Sequence, residues 1–416
     1  MDFNRLKTWL QRFQIDSFFF LPAWPLQADP IFVAALTLVL AVLAGEFLFK
    51  ALGWPRIVGY SLVGLIAGTA GFGVGAATLI GDRAPLAIAF DMGIALLLFE
   101  AGSRVNLRWL RANPWLLATS ITEAALTFAA VTSLLIVMGY SAMLATTTAI
   151  ITVATAPAVV MRVTAEFNAQ GQLSERLLLL AALNTVYAVI AQKFLLGWMH
   201  HEYGHDVWAA LLHPLYVFGG SALLAYILAA AIAFFEPHID LRDEHASLLV
   251  FGLLLLMIAL LRTFGLPVLL MPLLAGMWLR LLAPRPLVWP RHFGSVGGVL
   301  VLLLFVITGL SLSWNNLLAG GAVAVAIVLV RAAAKIGVLA LLGRPSGLSM
   351  RQSLSLGVAL CPMSGVAFAL TAEIVGRYPD FGATLGAIVF STIALLELIG
   401  PLALKWSLTR SGDIHG

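Results

Sequence analysis

Thr152-Val153-Ala154-Thr155-Ala156-Pro157 and Cys361-Pro362-Met363-Ser364-Gly365 each set a proline deep inside an apolar run long enough to cross a bilayer. Proline lacks a backbone N–H and its ring collides with the preceding turn, so a helix kinks or unwinds there. In hydrocarbon the released backbone groups are tolerated only where protein or a water-filled cavity satisfies them. The two interruptions fall in the fifth member of two six-span sets. That spacing predicts two inverted repeats, each with one broken helix, the architecture in which secondary transporters bind their cargo where half-helices meet.

The rest of the chain fits that setting. Its 416 residues are 61% hydrophobic and 11% charged, against about a quarter charged in a soluble domain. So little charge cannot coat a water-soluble fold. Runs near the ~20 residues that a crossing needs lie at 31–51, 56–77, 85–103, 114–138, 141–162, 172–198, 208–235, 245–262, 264–282, 292–313, 317–342, 350–375 and 382–408. None alternates as a barrel strand does. The expected fold is therefore an all-α polytopic membrane protein of about 13 transmembrane helices, with spans 1–6 and 8–13 as the repeats and span 7 as their linker. Residues 1–30, where Arg5, Lys7 and Arg12 interleave with Leu6, Trp9 and Phe13, read as an interfacial amphipathic segment. Residues 31–408 form one transport domain, and 409–416 a short cytoplasmic tail.

Setting aside Lys193, Arg331 and Lys335 inside spans, the N-terminus and even-numbered loops hold Arg5, Lys7, Arg12, Arg83, Arg262 and Arg377. The other fifteen Lys and Arg flank the opposite face. The positive-inside bias then puts the C-terminus in the cytoplasm and the N-terminus outside. A lone cysteine, Cys361, excludes an intrachain disulfide and a thiolate cluster. The eight histidines show no metal spacing, so neither cofactor, metal nor nucleic-acid partner is expected.

Ionisable groups within spans cost about 2.5 to 10 kcal/mol each and usually mark a pathway. Arg331 and Lys335 are four apart, hence on one helix face. Glu123 lies deep in span four, and Asp91 and Glu100 lie on span three. Two cations against three carboxylates suggest near-neutralisation within one cluster. Glu46 and Glu373 read as interfacial, Lys193 as snorkelling outward, and Glu397 as the structural partner of a core cation. Asn184, at mid-depth in span six, should share the level of the two breaks.

Several motifs in this order resemble the monovalent cation:proton antiporter superfamily. Ala154-Thr155-Ala156-Pro157-Ala158-Val159-Val160, with Glu166, Gly171 and Leu179 to Asn184, is similar to its fifth and sixth helices. Leu98-Phe99-Glu100-Ala101-Gly102 resembles the L-F-E-A-G of the sodium/proton exchanger branch. Arg331-Ala332-Ala333-Ala334-Lys335 resembles the basic eleventh helix of the potassium-efflux and electrogenic branch, and Gly357 to Gly365 the second broken helix.

The resemblance implies a homodimeric transporter of elevator type, in a bacterial inner membrane, that exchanges sodium or potassium for protons. Spans 4–6 and 11–13 would form the moving core, and spans 1–3 and 8–10 the dimer domain. It implies an ion site at Asn184 and Thr185, to which the breaks and the buried charges add Thr152 and Thr155, Glu123 and Glu100 as candidate carboxylates, and Lys335, Arg331, Glu123 and Asp91 for proton coupling or charge compensation. Pro157, Cys361, Pro362, Ser364 and Gly365 would form the breaks.

One departure matters. Relatives carry an aspartate after the asparagine of span six, where this chain has Thr185. A hydroxyl does not titrate near neutral pH, so coupling needs another group. The same scaffold could instead carry an anionic or neutral solute, if the basic pair leaves the site net positive, or act without transport in signalling or assembly.

Overall fold

The computed structural model describes residues 30–69, 87–105, 107–204, 207–235, 244–282, 294–311 and 314–414. The interfacial segment expected over 1–30 falls, but for its last residue, outside the described residues. The first half of the chain forms α1 (Pro30–Leu52), α2 (Arg56–Ala67), α3 (Ala87–Arg104), α4 (Leu107–Ala112), α5 (Pro114–Val137), α6 (Ala142–Val153), α7 (Pro157–Glu166) and α8 (Gln172–Gly204). Then come α9 (Val207–Phe235), α10 (Glu244–Thr263), α11 (Leu270–Leu282), α12 (Gly294–Leu310), α13 (Trp314–Leu342), α14 (Met350–Ala359), α15 (Gly365–Arg377) and α16 (Pro379–Ser411).

Among the described residues, seven stretches are long and apolar enough to cross a membrane, one of them the α6–α7 pair, Ala142–Glu166. Four shorter apolar helices, with α3 and the α14–α15 pair, bring the passes to the thirteen expected. Among the described residues, one span start moves by more than three residues. Span nine starts at Leu270 rather than 264, because Gly265 turns the chain with φ +64° and residues 264–269 form a loop. Of the stretch expected to continue span two to 77, only residues up to 69 are described.

Each broken pair begins with a serine that caps an orphan backbone donor. Ser141 accepts from the Leu144 N–H at the start of α6. Ser349 closes a capping box with Gln352 at the start of α14. A twelve-residue α6 rises about 18 Å, roughly half the bilayer, so it stops near mid-depth. Pro157 then opens α7 at a first-turn position where its missing N–H costs nothing.

One large apolar core runs from Ile94 and Leu98 of α3 through Leu180 of α8 to Phe305 of α12 and Phe368 of α15, and two smaller clusters beside it mark two groups of helices. α5, α6, α8, α13, α14 and α16 surround the breaks, with Val131, Leu135, Ala149, Ile327 and Ile388 forming one apolar cluster between them. α3, α9, α10 and α11 share a second cluster built on Met92, Phe99, Leu228, Leu254 and Met271. Glycines set the closest contact there. A Cβ on Gly102 would stand 2.1 Å from the Leu273 carbonyl oxygen, and one on Gly276 2.2 Å from that of Phe99. Helix α2 packs on α16 across the seam between the groups, and α12, packed on α2 and α3, reaches α16 through Thr308 and Glu397.

Residues 409–414 of the expected tail are packed rather than free. α16 runs to Ser411, and Asp413 turns back to accept from the Ser174 N–H at 2.9 Å and its hydroxyl at 2.8 Å. It thus caps α8, the helix that carries Asn184.

Candidate ion site

The two breaks cross as extended chain. The Ala156 N–H donates to the Pro362 carbonyl at 3.0 Å, and the Thr155 hydroxyl to the Leu360 carbonyl at 3.1 Å. Residues 154–156 and 361–364 leave the helical ladder, so Pro157, Cys361, Pro362, Ser364 and Gly365 stand at the interruptions. Where their carbonyls go decides what the neighbouring cations do.

Arg331, 1% exposed, donates through Nε to the Thr152 carbonyl at 2.6 Å and through a terminal nitrogen to the Ala154 carbonyl at 2.8 Å. Its other terminal nitrogen donates to the Cys361 carbonyl. It therefore caps the C-terminal end of α6 and the strand beyond α14. Each helix C-terminus carries about half a negative charge, so two of them offset one guanidinium. Thr152 contributes only this carbonyl, because its hydroxyl donates back to Ala149 at 2.9 Å.

Lys335, one turn further along α13 and fully buried, reaches a different partner. Its ammonium donates to Glu123 Oε1 and, at 3.3 Å, to the Thr155 hydroxyl oxygen. Glu123, 0% exposed, accepts on Oε2 from the Asn184 Nδ2 at 2.8 Å. The same nitrogen lies 3.2 Å from the Thr155 hydroxyl oxygen. Thr127, one turn from Glu123 on α5, donates to Oε1 at 3.4 Å. The Thr185 hydroxyl has one proton for two carbonyls, Ala181 at 3.0 Å and Thr155 at 3.2 Å. Asn184 Oδ1 is buried and accepts no hydrogen bond, an oxygen without a donor in a cluster otherwise satisfied.

The structure thus brings Glu123, Lys335, Thr155, Asn184 and Thr185 together and leaves two expected carboxylates outside. Glu100 pairs at 2.6 Å with Arg104, four residues on along α3. Asp91 pairs at 2.6 Å with Arg262 of α10. The expected neutralisation of two cations by three carboxylates in one cluster does not occur. Lys193 does not snorkel either. It is 5% exposed and bonded to Glu373 of α15 at 2.5 Å. Thr127 went unread, although its place one turn after a buried glutamate was visible.

Two cavities approach from opposite ends of the bundle. One of about 580 Å³ is lined by Asp91, Lys193, Arg262 and Glu373, and one of about 670 Å³ by Arg56, Tyr60, Arg162 and Glu166. Between them Ile94, Leu97, Leu98 and Leu304 close over Pro157 and Gly365.

Inverted repeats, two crossed broken helices and a buried polar cluster at their crossing define a secondary transporter, an integral membrane protein rather than an enzyme. A sequence model described as the transmembrane region of sodium/hydrogen exchangers matches residues 35–408, so the chain belongs to the sodium/hydrogen exchanger family. No curated protein matches it by sequence. In shape it is similar to the sodium proton antiporter MjNhaP1 from Methanocaldococcus jannaschii, with TM-scores of 0.64 to its structure at pH 8 and 0.66 to its electron-microscopy structure. Each likeness has 18% identity and covers 92% of this chain and 95% of that one. At that identity the shape speaks for the fold alone.

Proposed function

We propose that this chain exchanges a monovalent cation, sodium or potassium, for protons, with the buried Glu123–Lys335 pair coupling the two in place of the aspartate that Thr185 replaces. The observation that carries this reading is the buried contact of the Lys335 ammonium with Glu123, beside Thr155 and Asn184 at the crossing. A cation entering the cluster competes with Lys335 for the Glu123 carboxylate. Asn184 Oδ1, which has no donor of its own, and the Thr155 hydroxyl supply the neutral oxygens that a hard cation takes beside a carboxylate. An ammonium stripped of its counter-charge inside the bundle is several kcal/mol out of balance. Lys335 therefore releases its proton as the cation binds, and regains one as the cation leaves.

Alternating access of elevator type follows if the helix group around the breaks moves against the other, in a homodimer whose other contacts are with bilayer lipid. The packing of the helices in two groups supports that motion. The membrane would be a bacterial inner membrane, with the C-terminus cytoplasmic. The anion reading loses its main support, because Arg331 is spent on three carbonyls and leaves no net positive site.

The test is cation-driven proton flux in proteoliposomes of the purified full-length chain. Glu123→Gln should lose at least about 99% of it, about 2.7 kcal/mol of coupling, while Asp91→Asn retains it. Flux retained in Glu123→Gln would overturn the assignment.

A further inference from the structure

Glu397 lies in the middle of α16, 2% exposed, and among the described residues no salt bridge reaches it. Read from sequence as the partner of a core cation, it has none. Its neighbour instead is the Thr308 hydroxyl of α12, 3.1 Å from Oε1. The Ser61 hydroxyl of α2 faces the same carboxyl without a formed bond. The carboxyl thus belongs to the helix group around the breaks, while its neighbours lie on α2 and α12 across the seam. One turn along, a Cβ on Gly400 would meet the Pro362 Cα at 3.0 Å. The acid therefore lies one turn from a residue that packs on the second break.

The charges on the surrounding helices are committed elsewhere. Arg56 of α2 binds Glu46 and Glu166 of α7. Arg162 of α7 donates to the Gly297 carbonyl. Arg331 and Lys335 of α13 serve the crossing. Arg176 of α8 binds Ser346, and Lys193 of α8 binds Glu373 of α15, which Arg377 also reaches. On α16 itself Lys405 donates to the Gly53 carbonyl at 2.5 Å and Arg410 lies over Trp406. Arg351 of α14 is exposed. The Cys361 thiol points to the Gly357 carbonyl, and Tyr60 of α2 lines the larger cavity. α6 and α12 carry no ionisable side chain.

A carboxylate enclosed without a cation is unstable by several kcal/mol, whereas a carboxylic acid needs only an acceptor. Thr308 supplies one. Its hydroxyl has its own acceptors in the Phe305 carbonyl at 2.9 Å and the Leu304 carbonyl at 3.1 Å. With its proton sent there, its oxygen accepts from a protonated Glu397. With Glu397 ionised, the hydroxyl turns and donates. The pair has a hydrogen bond in either state.

We propose that Glu397 is a second proton-carrying site, taking up and releasing a proton at the seam between the two helix groups. Its release as the seam opens rests on the alternating-access reading above; its proton in this conformation does not.

Difference infrared spectroscopy of the purified full-length protein, titrated from acid to alkaline pH, reads the proton directly. A band of a protonated carboxylic acid should disappear at alkaline pH, be missing in Glu397→Gln and persist in Glu123→Gln. Thr308→Val, which leaves the carboxyl in place, should keep the band and shift its frequency. In proteoliposomes the alkaline limb of the Glu397→Gln flux profile should move by at least about one pH unit, a tenfold change in proton affinity. An unchanged band in Glu397→Gln, or an unshifted one in Thr308→Val, would overturn the site. Loss of the band together with flux retained in Glu123→Gln would keep this site and sink the coupling pair.

Discussion

Arg331 and Lys335 stand one turn apart on α13, both sealed from solvent, and they do different work. Arg331 spends its planar fork on three backbone carbonyls, which never titrate. Lys335 spends a point charge on a carboxylate and a hydroxyl, which exchange partners and protons. The chemistry of the two head groups matches that division, since a guanidinium stays charged while an ammonium gives up its proton readily when buried. Burial alone therefore does not mark a functional charge; the nature of its partner does.

The largest effect should come from breaking the arginine side of the pair. Arg331→Leu strands carbonyls at both breaks, at about 1–3 kcal/mol each, so its melting temperature in detergent should collapse. Arg331→Lys should recover only part, because one ammonium does not span three carbonyls. A variant as stable as the parent would erase the distinction. On the lysine side, Lys335→Met alone leaves Glu123 buried and unpaired, a loss of about 3–5 kcal/mol. Adding Glu123→Leu should restore the melting temperature without restoring flux. If the double variant stays unstable, the pair is a structural staple.

Thr185→Asp sharpens the comparison from the other direction. A carboxylate beside Asn184 should create or strengthen cation-dependent proton flux, and an unchanged flux would place Thr185 outside the ion site. The smallest effects belong to the peripheral pairs. Asp91→Asn, whose partner Arg262 is 38% exposed, should cost less than about 1 kcal/mol, and both it and Glu100→Gln should leave flux nearly unchanged.

Most of the fold could be read from the chain because its signals are local. A proline inside an apolar run interrupts a helix wherever it folds, and Pro157 and Pro362 announced both breaks. Depth was equally local, so Glu123, Asn184, Arg331 and Lys335 could be placed near the midplane by counting. Pairing is not local. Lys193 and Glu373 meet across 180 residues, and Ser174 and Asp413 across 239, and nothing in either segment names its partner. Glu100 was misread for another reason. Its partner Arg104 is the fourth residue on, a pairing that helix geometry offers openly. The same motif's Gly102 serves close packing against α11.

The central claim is that the buried Glu123–Lys335 pair carries the proton coupling that Thr185 cannot. It is tested most directly by proton flux out of proteoliposomes on adding sodium or potassium, in the parent chain and in Glu123→Gln. The account predicts cation-dependent flux in the parent and almost none in the variant, with both proteins folded and inserted alike. Equal flux in the two would contradict it.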